Sequence, residues 1–307
     1  MRASTLRFLT VFLLLVAAGC AGLWQKKPAP ATVQAPPDSL FSGDAFDLHV
    51  RTTEARTPEE ERASFTLPPG FRVELFAAEP QIGKPTNLAF DAKGRLWVTQ
   101  SVEYPFPAQP GKGRDRLTIL EDRDHDGRAD TFTPVADTLN IPIGILPEPD
   151  GAIAFSIPNV YRYTDANGDD RPESARRLLG PFGFKDTHGM VNHLTRGFDG
   201  WVYACHGFTN LSRVAGRDGD TITLGSGNTF RFRADGSRAE QTTRGRVNPF
   251  GLTFDDWGYQ YSSDCHSSPL YQLIMGADYP YFGRLPEGIG FAPVMKPHER
   301  EATALSG

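Results

Sequence analysis

The chain has 307 residues, with 32 Lys and Arg against 37 Asp and Glu and a formal net charge of −5. That balance gives no basic footprint for a phosphate backbone, so nucleic acid is not an expected partner. Gly 31, Pro 25 and 11% aromatic residues, with no long amphipathic run, argue against a helical bundle and for an all-β domain full of turns.

Arg2 and Arg7 precede a short apolar run, Phe8 to Ala18, which is signal-peptide length and too short to span a bilayer. The run ends Val16-Ala17-Ala18-Gly19-Cys20, and small residues before a cysteine resemble the lipobox of bacterial lipoproteins. The expectation is a signal peptide over residues 1–20, lipidation at Cys20, and a protein tethered to a membrane in the periplasm or at the cell surface. Pro28, Pro30, Pro36 and Pro37 among Ala, Lys and Ser predict an extended, solvated tether over residues 21–56. Thr57-Pro58-Glu59-Glu60-Glu61 then offers a cap residue, a proline at the first helical position and acids in the first turn, so a short helix opens the folded part, residues 57–307.

Four segments share a pattern in the body of the chain. Asn87 to Gly94, Gly144 to Gly151, Leu194 to Gly200 and Gly251 to Gly258 each run from an apolar strand into an Asp-Gly type turn. Alternating second strands follow at Arg95–Val98, Ala152–Phe155, Trp201–Ala204 and Tyr259–Tyr261, as in hairpins. The four glycines recur at intervals of 57, 49 and 58 residues, close to one blade of a β-propeller with loop insertions. Outer strands alternate at period two in Arg116–Leu120, Asn159–Tyr163 and Thr229–Arg233. The sequence therefore predicts a partial propeller of four-stranded blades, four or the start of a fifth, belonging to a longer protein.

Two outer turns are rich in carboxylates. Asp122, Asp124, Asp126 and Asp130 stand at positions 1, 3, 5 and 9 of one loop, with Gly127 at position 6; Asp165, Asn167, Asp169 and Glu173 repeat the spacing one blade later, with Asp170 in place of the glycine. Oxygen ligands so spaced suit Ca²⁺, although position 12 is Thr133 or Arg176 rather than the glutamate of an EF-hand. The third blade has only the short turn Ala234-Asp235-Gly236-Ser237 there, so these loops are elaborated turns, either holding calcium for structure or simply made of good turn formers.

In a propeller, the loops entering each first strand and leaving each second strand meet at one mouth of the channel. Here they include Lys185 to His193, Arg244 to Phe250, Glu103-Tyr104-Pro105, Cys205-His206-Gly207 and Asp264-Cys265-His266, which collect four of the seven histidines. His188 or His193 is a candidate base, with Arg246 to stabilise an anionic oxygen. His206 and His266 with Asp264 offer an alternative transition-metal set. Cys205 and Cys265, in corresponding loops, are either a disulfide or two small buried residues. No Cys-x-x-Cys-His occurs, so this stretch attaches no c-type haem.

Leu67 to Pro80, Leu120 to Asp130, His188 to Gly200 and Gly288 to Pro293 together resemble the membrane-bound dehydrogenase domain of planctomycete-type bacteria, over Thr57 to Gly307. That resemblance implies a propeller related to soluble quinoprotein glucose and sorbosone dehydrogenases, with a c-type cytochrome as a possible electron acceptor. In those enzymes a histidine ahead of an inner strand acts as base, and His188 lies at nearly the matching distance before Asp199-Gly200. Their Arg-Asn-Pro-x-Gly-Leu motif is similar to Val247-Asn248-Pro249-Phe250-Gly251-Leu252, with Val247 at the arginine position and Arg246 one residue early.

The resemblance implies oxidation of a sugar or alcohol by hydride transfer to pyrroloquinoline quinone (PQQ), with Arg246 and Asn248 on the quinone and Asn192, His206, His266 and Asp264 near it, assisted by Ca²⁺. The rival readings are a non-catalytic propeller binding carbohydrate or protein, and a metal-dependent hydrolase or lactonase.

Overall fold

The computed structural model describes residues 54–267 and 270–280. Cys20, the expected tether up to residue 53 and the segment Gly288 to Pro293 lie outside the described residues. The expected helix is present as α1 (Pro58–Ser64), closed by a reciprocal capping box: the Thr57 hydroxyl accepts from the Glu60 amide, and the Glu60 carboxylate accepts from the Thr57 amide at 2.8 Å.

Seventeen strands follow among the described residues. The first sheet, β1 (Pro85–Phe90), β2 (Leu96–Gln100), β3 (Asp115–Glu121) and β4 (Thr131–Leu139), is an antiparallel meander. The second, β5 (Gly144–Glu148), β6 (Gly151–Ser156), β7 (Asn159–Thr164) and β8 (Ser174–Leu179), repeats it. The third contains β9 (Val191–Arg196) and β10 (Val202–His206), then an inserted hairpin of β11 (Ser212–Ala215) and β12 (Thr221–Leu224), and returns with β13 (Asn228–Phe232) and β14 (Ala239–Thr243). The fourth is described as β15 (Pro249–Phe254), β16 (Gln260–Asp264) and β17 (Tyr271–Leu273). These are four blades of a β-propeller, their first strands adjacent in the order β1, β5, β9, β15. The inserted hairpin was not anticipated, because Ser212–Ala215 and Thr221–Leu224 span four residues each, too short to show a period.

The core does not lie within any one sheet. One apolar cluster joins Trp97, Leu117 and Ile119 to Ile145, Ala152 and Ala154, between the first two blades. A second joins Ile153, Phe155 and Leu179 to Val202, Phe230 and Phe232, between the second and third. A third joins Trp201, Tyr203 and Cys205 to Leu252, Tyr271 and Leu273, between the third and fourth. Alternation in each strand thus serves both faces, and burying one such side chain contributes about 1.5–3 kcal/mol.

Polar ties fix the spacing of the inner strands. The Asn87 side chain accepts from the Ile145 amide at 3.2 Å, and the Asn192 and Thr195 side chains donate to the carbonyls of Pro249 at 3.1 Å and Leu252 at 3.0 Å. Close approach also demands glycine at Gly227, whose φ is +75° and where a Cβ would press into the carbonyl oxygens of Gly245 and Arg246. Gly94 has a similar φ of +78° but open space around it. Chemical denaturation should therefore find Gly94→Ala costing about 1–2 kcal/mol from backbone strain alone, and Gly227→Ala at least about 3 kcal/mol. Equal losses would mean that the packing of this loop against the entry to the fourth blade is not a constraint.

Candidate active site

The loop between β8 and β9 carries a short 3-10 turn, Thr187–Gly189, capped by Asp186. Asp186 Oδ1 accepts from the His188 amide at 2.9 Å and faces His188 Nδ1 at 2.8 Å. The Thr209 hydroxyl donates to Asp186 Oδ2 at 3.3 Å. Burial works against ionisation of Asp186, but the hydrogen bonds and charge of His188, together with Thr209, hold its carboxyl below the usual range. An ionised Asp186 makes Nδ1 the protonated nitrogen, leaving Nε2 as the acceptor on a side chain that is 61% exposed.

Three neighbouring blades position this pair. Asn210, buried in the loop between β10 and β11 of the third blade, accepts from the Asp186 amide and donates to the carbonyls of Asp186 at 2.7 Å and Gly189 at 3.0 Å. The Asn248 side chain, from the fourth blade, donates to the His188 carbonyl at 3.1 Å and accepts from the Phe208 amide at 3.1 Å. From the first blade, the Tyr104 ring meets the His188 imidazole edge-on at 5.4 Å. Burial, then the neighbouring Asp186 and Cys265, push the Tyr104 phenol up, so it stays protonated at neutral pH. His266 lies exposed in contact with the Phe208 ring at 5.9 Å. His188, Tyr104, Asn248, Cys265 and His266 are thus gathered at one mouth.

The other expected site residues have different places. His206 was placed in a loop as a cofactor contact, but β10 extends through it and encloses it completely. Its Nδ1 donates to the Gly225 carbonyl at 2.8 Å, and its Nε2 accepts from the Ser212 hydroxyl at 2.7 Å, so no atom is left for a ligand. His193 belongs to β9, half-buried at φ +54° in a bulge opposite Ala204, and burial lowers its pKa.

Arg246 is fully buried between the third and fourth blades. Its Nη1 donates to Ser262 Oγ at 2.6 Å, and its guanidinium carbon lies 5.9 Å from the Tyr271 ring centre. It therefore cannot touch a substrate at the mouth, in keeping with its place one residue ahead of the motif's arginine position, which Val247 holds. Asp264 accepts from the amides of Val247, Asn248 and His266, so its carboxylate anchors two loops instead of binding a metal. Asn192 is buried and donates to the carbonyls of Met190 and Pro249.

PQQ carries three carboxylates and needs cationic or amide donors. Arg246, Asn248, Asn192, His206 and Asp264 are all buried; Arg246 Nε and Nη2 and Asn192 Oδ1 have no hydrogen-bond partner but are closed off from the surface, and Asn248, His206 and Asp264 are engaged by the protein, so that of the residues expected to hold the quinone only His266 is open to it and the set does not fit. A transition-metal set at the mouth also fails, because among the described residues only the two outer loops bring three ligand-bearing side chains within 4.8 Å. The two thiols are free: Cys205 is buried within 3.9 Å of Ser262 Oγ, and Cys265 donates to the Asn248 carbonyl at 3.3 Å.

Those outer loops are Asp122, Asp124 and Asp130, and Asp165, Asp169 and Glu173. Both have positive φ at positions 4 and 6: His125 at +61° and Gly127 at +90°, Gly168 at +77° and Asp170 at +63°. In the second loop Asp170 adopts the glycine conformation and pairs with Arg95 of the first blade at 2.7 Å.

Asp186 and Tyr104 lie in the mouth loops, but the sequence pattern assigns them no role. The signal available for Asp186 was its place two residues before His188, the spacing at which a carboxylate caps a turn and meets the following ring.

The architecture is that of a β-propeller with a histidine–aspartate pair at one mouth. The chain belongs to the family described as Domain of unknown function (DUF7133), whose model matches residues 57–286. Its fold is similar to the PQQ-bound aldose sugar dehydrogenase of Streptomyces coelicolor, at 18% identity and a TM-score of 0.49 over 68% of this chain and 66% of that one. It is similar also to the pyranose dehydrogenase PQQ domain of Coprinopsis cinerea, at 16% identity and a TM-score of 0.45 over 69% and 52%. A gluconolactonase from Xanthomonas campestris gives 16% identity and a TM-score of 0.44 over 66% and 61%. The chain thus spans less than two thirds of the length of each. No curated protein sequence matches it.

Burial holds the His206 pKa down at about 4. The unfolded chain binds that proton near pH 6.5, so stability from this group is level above about pH 6.5 and falls as pH drops toward 4, by about 3 kcal/mol in total. Denaturation across that window should show the slope, and His206→Gln should flatten it. An unchanged slope would mean that the imidazole is not enclosed as a neutral ring.

Proposed function

We propose that the mouth around His188 takes a hydroxyl-bearing small molecule, a sugar or other alcohol, and that the propeller is of the dehydrogenase type. The observation that carries this is the 2.8 Å contact between His188 Nδ1 and an ionised Asp186. Nε2 removes the proton of the substrate hydroxyl, and Asp186 stabilises the imidazolium that results. Asn210 and Asn248 hold the loop so that the ring is placed before substrate arrives. PQQ is the hydride acceptor implied by the sequence resemblance; the side chains expected to hold it do not fit it, so the proposal rests on proton removal by His188. We place the protein outside the cytoplasm, tethered through Cys20, with a c-type cytochrome as a candidate electron acceptor.

The test is dye reduction by the purified chain over a panel of sugars and alcohols, run with and without added PQQ and Ca²⁺. His188→Ala should lower kcat by about 10²–10⁴ with a smaller change in KM, and Asp186→Asn should lower it by at least about tenfold. Equal turnover in wild type and His188→Ala would overturn the assignment, and sugar binding without turnover would favour a non-catalytic propeller.

The two carboxylate loops fit Ca²⁺: their donors are all oxygen, and three converge in each. The ion would hold the outer turns of the first two blades and take no part in proton transfer. Ca²⁺ at about 100 times its Kd should raise Tm by roughly 5–10 °C. Asp122→Ala combined with Asp165→Ala should abolish that rise, and a rise that persists would place the ion elsewhere.

A further inference from the structure

A second surface lies at the far end of the strands. β15 leaves the mouth at Pro249, opposite Asp264, and ends at Phe254, opposite Gln260, so residues 255–259 turn at the end of the fourth blade away from His266. The turn 197–201 of the third blade lies at the same end, because β9 runs from Val191 to Arg196 and β10 returns to His206. On these turns Trp257 is 87% exposed, Phe198 77% and Tyr259 57%.

The two turns adjoin one another. A Cβ on Gly258, between Trp257 and Tyr259, would stand 3.6 Å from the Phe198 ring. The Phe198 ring in turn packs edge-on against Phe254 at 6.3 Å. Asp255 accepts from the amides of Trp257 at 3.0 Å and Tyr259 at 2.8 Å, and from the Tyr261 hydroxyl at 3.2 Å. Two adjoining turns that show three large aromatic rings to water mark an interaction site, and because Asp255 fixes the backbone of one of them, less ordering entropy remains to be lost there on binding.

The neighbouring charge selects the partner. Among the described residues Asp255 enters no ion pair and Asp256 neither an ion pair nor a hydrogen bond, while the arginines at this end are engaged elsewhere, Arg196 with Glu148, Arg231 with Asp199 and Glu240, and Arg233 over the Trp201 ring at 4.1 Å. Two uncompensated carboxylates repel anionic lipid headgroups and phosphate backbones. An apolar protein surface laid over the rings would bury Asp256 without a partner, which is costly. A neutral sugar ring meets both demands, because its C–H face lies against an aromatic face while its hydroxyls donate to a carboxylate.

The geometry points to a carbohydrate platform formed by Phe198, Trp257, Tyr259 and Asp256, which takes a neutral pyranose chain at the end of the propeller opposite His188. It is independent of proton removal at the mouth and stands or falls separately from it. Binding here leaves the mouth open and holds the protein on a polymer.

Native gels cast with hydroxyethylcellulose, xylan or laminarin test the platform. At least one polymer should retard the wild-type chain. Trp257→Ala should weaken that retardation by about tenfold or more, and Phe198→Ala should also weaken it. His188→Ala should migrate as wild type, which separates this platform from the mouth. Trp257 supports no core cluster, so an unchanged Tm in Trp257→Ala confirms that the fold is intact; a changed Tm directs the comparison to Asp256→Asn, which must weaken retardation. Failure of all three polymers to retard the chain would overturn the platform, as would equal retardation of wild type and these variants. Binding to phosphatidylcholine vesicles that is lost with Trp257→Ala, without binding to any polymer, would assign the patch to a membrane and overturn it too.

Discussion

The second and third blades of this protein are apolar on both faces, and neither face can be buried within the sheet itself. Packing of one blade on the next therefore governs everything else: Ile153 and Phe155 of the second blade complete a core with Phe230 and Phe232 of the third, and Trp201 and Tyr203 of the third complete one with Leu252 and Tyr271 of the fourth. This places the first strands side by side, and with them the loops that enter and leave them. Residues as distant as Tyr104, His188 and His266 become neighbours of one mouth for that reason, and no local preference of their own would bring them together.

Loops that converge so closely contain backbone groups that have no ladder partner and little access to water. Polar side chains must satisfy them. Asp115 accepts from the amides of Val102, Glu103 and Ile141 and from the Ser101 hydroxyl, and Asp264 serves the fourth blade in the same way. Asn192, Asn210 and Asn248 complete the set. Much of the chemistry-bearing appearance of these segments is thus structural. His188 stands apart because its ring remains exposed while its Nδ1 is held by a carboxylate.

The two ends of the strands differ in character. The mouth combines a base with a protonated phenol and a thiol kept neutral by burial and by Asp264, whereas the opposite turns of the third and fourth blades show rings and carboxylates with no base among them. The calcium-type loops lie at that same far end, on the outer turns of the first and second blades, and the Arg95–Asp170 pair ties one of them to the first-to-second-strand turn of the neighbouring blade. One scaffold therefore separates proton transfer, polymer contact and loop stabilisation in space, since turns and loops vary while the packed faces cannot.

Period-two alternation and the recurring Asp-Gly turns determined the blades by themselves: each is a local pattern, and the hairpins at Gly94, Gly151, Gly200 and Gly258 fall where the spacing put them. The capping box at Thr57 and the paired carboxylate loops were legible for the same reason, because their ligands and partners lie within a few residues of one another. Only the tertiary structure decided which polar residues face a ligand. His206 and Arg246 look like His188 in sequence, but whether a side chain enters the seam between two blades or the open mouth depends on strand extent, on bulges such as that at His193, and on the neighbouring blade. Those are set by tertiary contacts, His206 with Ser212 and Gly225 and Arg246 with Ser262 and Tyr271, which the period-two pattern does not contain.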